Sequence, residues 1–143
     1  MKKVLLLCIL LTAPVILKAQ TTEQSQVKEM LKTFYTAYMT NFSNDTGKDL
    51  LQLRRKYCTS KCERLFRKLV EETDADPIIK GQDSDAQYAQ TLIIKKDNNK
   101  ANSYTVSYSY DDYNEKGELK KEVATIKLII IKVKGVFKID SIS

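Results

Sequence analysis

Acidic residues are concentrated in one short segment of the sequence, around "DADPIIKGQD" at residues 74–83. Six carboxylates fall within this region: Glu71, Glu72, Asp74, Asp76, Asp83 and Asp85. Asp76 precedes a proline, which favours extended backbone, and aspartate side chains readily bond nearby backbone amides. We therefore expect Asp74, Asp76 and Asp83 to fasten a turn by accepting hydrogen bonds from its free N–H groups.

The same carboxylates suggest a calcium site, because two Asp-x-Asp pairs supply the oxygen ligands that this cation prefers. An EF-hand loop needs an oxygen ligand at its fifth position, glycine at the sixth and glutamate at the twelfth. Counted from Asp74, those positions hold Ile78, Ile79 and Asp85, so the motif fails. An irregular oxygen site stays open as an alternative, and we predict no metal ion and no cofactor.

Catalysis is a third interpretation of the acidic segment, since burial at the mouth of an apolar pocket turns a carboxylate into a general base. The chain contains no histidine, so neither a Ser-His-Asp triad nor a His-Asp pair can be assembled. Nucleophile-elbow, Walker and dinucleotide-binding motifs are also missing from the sequence. Only Asp/Tyr chemistry at Asp76 or Asp83 remains, and we predict a protein without catalytic activity.

Two cysteines lie four residues apart in "YCTSKCERL". In an oxidising compartment Cys58 and Cys62 would form a disulfide around a very small loop, or else remain as two buried thiols. Both alternatives are open at this stage. Zinc normally takes four ligands, and one Cys-x-x-x-Cys pair without histidine does not provide them.

The first residues have the pattern of a secretory signal: "MKK", an apolar run of fourteen residues, and Ala19 before a cleavage point. Spanning a membrane takes about 18 or more apolar residues, so the run predicts no membrane anchor. Cys8 lies inside the apolar run and does not fit a lipid-attachment site. We predict a signal peptide at 1–19 and one exported domain at 20–143, located in the periplasm of a bacterium.

Charge gives little support to nucleic-acid binding. The chain has 24 basic and 18 acidic residues, but three of the lysines belong to the predicted leader. The remaining excess is small and spread along the sequence, apart from "LRRK" at 53–56, which is typical of a solvated surface. We predict no nucleic-acid partner.

Hydrophobic periodicity divides the domain into a helical half and a strand half. Apolar residues recur at helical spacing over 24–42 and 49–57, and "TSKCE" predicts a third helix with Ser60 as N-cap and Glu63 as its reciprocal partner. After the acidic segment the period becomes two, with strands in "YAQTLIIKK", "YTVSYSY", "VATIKLIIIKV" and "VFKIDSI". The third strand is β-branched throughout, which predicts a central strand covered on much of both faces. We predict an α+β fold, with the helices packed on one face of a curved four-stranded antiparallel meander.

The chain resembles the nuclear-transport-factor-2-like (cystatin-like) superfamily, and in particular an uncharacterised family of exported bacterial proteins with that fold. The resemblance rests on "VKEMLKTFYTAYM", "LLQLRRKYCTSKCERLF", "DADPIIKGQD" and "VFKIDSI". It implies a cone-shaped space between helices and sheet, and sheet-face homodimers. It does not imply an activity.

These observations together predict an exported, non-catalytic binding module that holds a small ligand or peptide in the cone. The predicted ligand-binding residues are Tyr35, Tyr38, Asp76, Asp83, Tyr104 and Tyr108. Core packing is the competing interpretation of the tyrosines, because a regular strand buries such a stripe against helices. The alternative functions are an interaction protein, such as an inhibitor or immunity factor for an envelope protein, and a histidine-free enzyme.

Overall fold

Helices precede strands along the whole chain, as the change of period predicts. The computed structural model describes residues 22–44 and 46–143 with their side chains. The predicted leader, with Cys8, lies outside them. The elements are α1 (Lys2–Ser43), α2 (Gly47–Tyr57), α3 (Ser60–Thr73), a 3-10 helix (Ala86–Thr91), β1 (Ile93–Lys96), β2 (Ser103–Tyr113), β3 (Leu119–Val133) and β4 (Val136–Ile142).

The four strands form one antiparallel sheet in the order β1-β2-β3-β4, so the predicted meander is confirmed. Short turns set the register, which pairs Tyr108 with Ala124 and continues to Tyr113 opposite Leu119. Gly117 closes the β2–β3 hairpin at a φ of 76°, a conformation that favours glycine. A register shift between Ile129 and Ile130 bends the central strand against β4.

The core lies between α1 and the inner face of the sheet. Apolar residues of α1 repeat every three or four positions, so they form one stripe that faces β2 and β3. The buried residues of α1 are Val27, Leu31, Phe34, Tyr35, Tyr38 and Met39, and those of the sheet include Tyr104, Val106, Tyr108, Ala124, Ile126, Leu128 and Ile139. The centre of the predicted cone is therefore filled by side chains.

The outer face of the sheet is open in the single chain, which corrects one prediction. β3 alternates between buried Ile126 and Leu128 and outward residues, among them Val123, which is 63% exposed. The expectation that β3 is covered on both faces is thus wrong for one copy of the chain. The sheet has one dry and one exposed face, as is common for antiparallel sheets.

Two local predictions also need correction. The N-cap of α3 is Thr59, whose Oγ1 accepts from the Cys62 backbone N–H at 3.2 Å, and not Ser60. The segment "YAQTLIIKK" is a strand only from Ile93, because Asp85 accepts from the backbone N–H of Gln87 and starts the 3-10 helix.

Candidate functional site

The acidic turn is closed on itself, and Asp76 is its centre. The backbone N–H of Asp76 donates to the Gly81 carbonyl at 2.9 Å, and the return bond measures 3.3 Å. The Asp76 carboxylate accepts from the Ile78 backbone N–H at 2.7 Å, and Asp83 accepts from the Ser84 backbone N–H at the same distance. The predicted amide partners of these two aspartates are confirmed. Asp74 differs, because its backbone carbonyl accepts from the Gln82 side-chain amide at 2.9 Å and the residue caps the end of α3 in a left-handed conformation.

A chain of polar groups links this turn to the helices. The Tyr38 hydroxyl donates to Asp76 at 2.7 Å and accepts from Arg54 at 3.1 Å, while Arg54 also donates to Glu63 at 3.1 Å. The Arg54 guanidinium lies 4.0 Å from the centre of the Phe66 ring. Burial raises the pKa of Asp76, and hydrogen bonds from Tyr38 and Ile78 oppose this effect. The carboxylate is thus occupied by protein donors that tie α1, α2 and the turn together.

The predicted site residues fall into two groups. Tyr35 and Tyr38 are fully buried in the packed core, and Tyr104 is 4% exposed at its other end. Tyr108 is equally buried, at 4% exposed, but together with Asp83 it also lines a cleft of about 610 Å³ where the acidic turn meets the end of β2. Tyr108 donates its hydroxyl to the Ile79 carbonyl, and burial raises its pKa to about 12, so it stays a neutral donor.

We call this second region the tyrosine cleft. It is lined by Ser43, Lys80, Gly81, Gln82, Asp83, Ser84, Asp85, Tyr88, Tyr108, Tyr110, Asp111 and Asp112. The Tyr88 and Tyr108 rings are stacked with centroids 6.0 Å apart, and Tyr110 lies 6.5 and 6.1 Å from them. Its volume is that of a pocket for a small molecule or a peptide side chain.

An unpartnered polar atom singles out the tyrosine cleft. Within the described residues, three buried side-chain atoms have no hydrogen-bond partner: Tyr35 Oη, Ser84 Oγ and Asp111 Oδ1. Of the three, Ser84 Oγ belongs to a residue that lines this cleft, and Ser84 is 5% exposed. Asp111 also borders the cleft, but its Oδ1 lies 3.5 Å from the Lys121 ammonium, its neighbour on the outer face of the sheet, so its charge has a partner there. A buried polar atom without a partner is costly, so each one requires an explanation, such as a bound water, an ion or a ligand.

A second, larger cleft of about 660 Å³ lies between α2 and α3 and is lined by Arg54, Arg55, Arg64 and Arg67. It is formed by the "LRRK" segment that the sequence analysis interprets as a solvated surface. None of the three unpartnered atoms belongs to its lining residues. For this reason we place the candidate site in the tyrosine cleft rather than in the larger one.

Several residues of the cleft are not singled out by the sequence analysis, among them Ser84, Tyr88, Tyr110 and Asp112. Tyr110 belongs to the predicted tyrosine stripe, and its position at the strand end is the signal that was available. Ser84 has no such signal, because its burial depends on how the turn folds against β2. Tyr88 lies in the segment that was expected to be a strand.

The two cysteines are separate, buried thiols in the structure, the second of the two alternatives. A hydrogen bond to Cys62, together with burial, raises the pKa of the Cys58 thiol well above its ordinary value. Neither feature favours a reactive thiolate. In residues 22–44 and 46–143, no three thiol, carboxylate or imidazole groups are close enough to hold a metal ion.

The fold and the cleft define a class: an α+β protein with helices before an open four-stranded antiparallel sheet and a polar cleft at one end. A crystal structure of a protein of unknown function from Bacteroides thetaiotaomicron is similar to this chain, with 31% sequence identity and a TM-score of 0.69 over 89% of this chain and 98% of that one. The chain belongs to the family of that bacterial protein. No family model and no curated protein matches the chain. Within the described residues, no helix has the length and apolar content needed to cross a membrane.

Proposed function

We propose that the protein is a non-catalytic binding module that holds a small ligand or peptide in the tyrosine cleft, at the open end of the space between helices and sheet. The observation that carries this proposal is the Ser84 hydroxyl, which is buried, lines the cleft and has no partner within the described residues. A bound molecule would provide the missing hydrogen bond. Three tyrosine rings beside it offer the apolar wall that ligand pockets typically have.

We place the ligand in the tyrosine cleft because side chains fill the space between the helices and the sheet. Phe34, Tyr35 and Tyr38 have no exposed surface, so a ligand at the centre of the cone would have to displace them. Displacing close-packed side chains is costly. Of the predicted ligand-binding residues, Tyr108 and Asp83 therefore belong to the proposed site. The other four do not line the cleft: Tyr35, Tyr38, Asp76 and Tyr104.

The absence of catalysis in this proposal is supported by the side chains that the chain contains. Its 143 residues include no histidine. Asp76, the carboxylate whose pKa burial raises, accepts hydrogen bonds from Tyr38 and Ile78, so it is not free to take a proton from a substrate.

Fold type and location are part of the same proposal. We assign the chain to the nuclear-transport-factor-2-like (cystatin-like) type, because helices lie on one face of a bent antiparallel meander. The sequence pattern of residues 1–19 supports export to the periplasm.

The outer face of the sheet favours a second candidate function, protein interaction. Five neighbouring uncharged residues form what we call the outer patch: Ile93, Ser107, Ser109, Val123 and Thr125. Ile93 and Val123 are 53% and 63% exposed. The patch is flat and free of charge, which suits the same patch of a second copy about a two-fold axis, and the homodimer is the occupant we favour over an envelope protein.

The experiment for the main proposal is an NMR screen of the isotope-labelled chain against a mixed library of small polar molecules and short peptides. Compounds that bind should shift the amide signals of Ser84, Tyr88 and Tyr110. Tyr110→Ala should abolish the shifts, and Tyr113→Ala, on the same strand but 70% exposed, should leave them unchanged. Shifts that cluster elsewhere, or that survive Tyr110→Ala, would contradict the proposed site.

A further inference from the structure

We infer that the tyrosine cleft selects an organic cation, an ammonium or guanidinium group carried on a short apolar stem. This inference rests on the proposed binding function and names the chemistry of its ligand. Three features lead to it: the charge of the lining, its hydrogen-bonding capacity, and the tyrosine wall.

The lining is strongly acidic. Three carboxylates, those of Asp83, Asp85 and Asp112, line the cleft together with one ammonium, that of Lys80. The fourth acid, Asp111, is paired with Lys121 on the outer face. Lys120, opposite Asp112, is paired with Glu122, which leaves a formal excess of two negative charges in the cleft. Like charges held at one opening repel each other and attract a cation to the space between them.

The hydrogen-bonding capacity of the lining favours a donor. An ionised carboxylate only accepts hydrogen bonds, so the acidic lining suits a ligand that carries N–H groups. The unpartnered Ser84 hydroxyl, 5% exposed, accepts as well as donates. Ammonium and guanidinium groups carry several N–H donors and no acceptor, which suits the carboxylates and the Ser84 hydroxyl together.

The tyrosine wall provides the third feature. Tyr88 and Tyr110 are half-buried and meet at an interplanar angle of 63°, so these two rings form a corner, with the buried Tyr108 ring stacked behind Tyr88. Aromatic faces attract cations within about 6 Å of the ring centre, and the effect grows where water is excluded. The rings also provide an apolar surface for the methylene stem of the proposed ligand. A calcium ion gains nothing from such a wall, since hard cations require a shell of oxygens.

The test is a calorimetric titration of the full chain with three probes that share a five-carbon stem: cadaverine, 1,5-pentanediol and glutarate. We expect cadaverine to bind and the neutral and anionic probes not to bind. Raising the salt concentration should weaken binding, since part of the attraction is between partly exposed charges. Acetyl-Gly-Lys-Gly-amide distinguishes a peptide side chain from a free amine as the source of the cation. Binding of either lysine peptide or cadaverine supports the inference.

Variants make the test specific to the cleft. The double variant Asp85→Asn, Asp112→Asn should weaken cadaverine about tenfold or more, because both carboxylates lose their charge while asparagine keeps the backbone caps. Glu115→Gln, an exposed acid in the β2–β3 turn, is the matched control and should leave affinity unchanged. Ser84→Ala should weaken binding about three- to tenfold without lowering the melting temperature, which a purely structural serine would lower.

The outcomes separate this inference from the proposed function. If 1,5-pentanediol or glutarate binds in a Tyr110-dependent manner and cadaverine does not, the cation inference is overturned and the binding function stands. Calcium binding that depends on Asp85 and Asp112 would also overturn it. If none of the probes binds, the inference fails, and the mixed-library screen decides separately whether the cleft binds anything.

Discussion

At the scale of single residues, the same side-chain type has different roles in this protein. Tyr35 and Tyr38 are neighbours on one helical stripe, and both are fully buried. Tyr38 donates to Asp76 and accepts from Arg54, whereas Tyr35 Oη has no partner within the described residues. The cost of burying a hydroxyl is offset only where its hydrogen bonds are made.

This difference gives a matched pair of predictions. Tyr35→Phe should leave the free energy of unfolding unchanged or raise it by about 1 kcal/mol, because it removes an unsatisfied hydroxyl. Tyr38→Phe should lower it by about 1–3 kcal/mol, because Asp76 and Arg54 each lose a partner in a buried place. Urea denaturation at neutral pH measures both. A loss for Tyr35→Phe as large as that for Tyr38→Phe would mean that Tyr35 has a partner we have not identified.

The sequence could identify the tyrosine stripe, but it could not show which of these tyrosines fill the core and which line the cleft. A ring that fills a core and a ring that lines a cleft occupy the same face of a helix or strand, so periodicity alone does not separate Tyr35 from Tyr108. The division depends on where the acidic turn packs, which is a tertiary contact. Asp76 and Asp83 were accessible to prediction, because an aspartate that bonds nearby backbone amides is a local event.

At the scale of elements, α3 is attached to the sheet through its N-cap residue, Thr59. Thr59 donates its backbone N–H to the Ile139 carbonyl at 2.9 Å and its hydroxyl to Asp140 at 2.9 Å. Lys61 also donates to Asp140, at 2.5 Å. The sequence analysis predicted Ser60 as the N-cap, whereas in the structure Thr59 has this role and also bonds to β4.

Substitution at the start of α3 tests this assignment. Thr59→Ala should lower the free energy of unfolding by about 0.5–2 kcal/mol, because α3 loses its N-cap and its bond to β4. Ser60→Ala, one position later and exposed, should change it by less than about 0.5 kcal/mol. The reverse order in thermal or urea unfolding would restore Ser60 as the cap.

The same attachment predicts a pH dependence. Hydrogen bonding to Lys61 lowers the pKa of Asp140 below its ordinary value of 3.8, and the bond from Thr59 adds to this effect. A lowered carboxyl pKa in the folded state stabilises the protein above pH 3.8 and loses this contribution as the pH falls through the folded value. The stability difference between the unmodified chain and Asp140→Asn should therefore be constant near neutral pH and shrink below about pH 4. A difference that stays constant down to pH 2 would contradict the assignment.

At the scale of the whole molecule, the order of elements was predictable and the exposed surface was not. Helices followed by a meander follow from the change of period, which each segment carries in its own residues. The strand predicted to start at Tyr88 begins only at Ile93, because the hydrogen bond from the Gln87 backbone N–H to Asp85 starts a 3-10 helix in its place. The prediction that β3 is covered on both faces is wrong for one copy of the chain, because β-branched residues such as Val123 favour a strand whether or not another element covers them.

The outer patch leads to the last prediction, which concerns assembly. If two copies pack through this patch, Val123→Lys places two charges near each other in a dry interface, and the dimer should dissociate. Val136→Lys, also an exposed valine but located at the β3–β4 turn, should leave the dimer intact. Sedimentation velocity over a range of protein concentrations measures both variants beside the unmodified chain. A monomer at all concentrations in the unmodified chain would rule out this homodimer and leave the patch for a different protein partner, without affecting the cleft on the inner side.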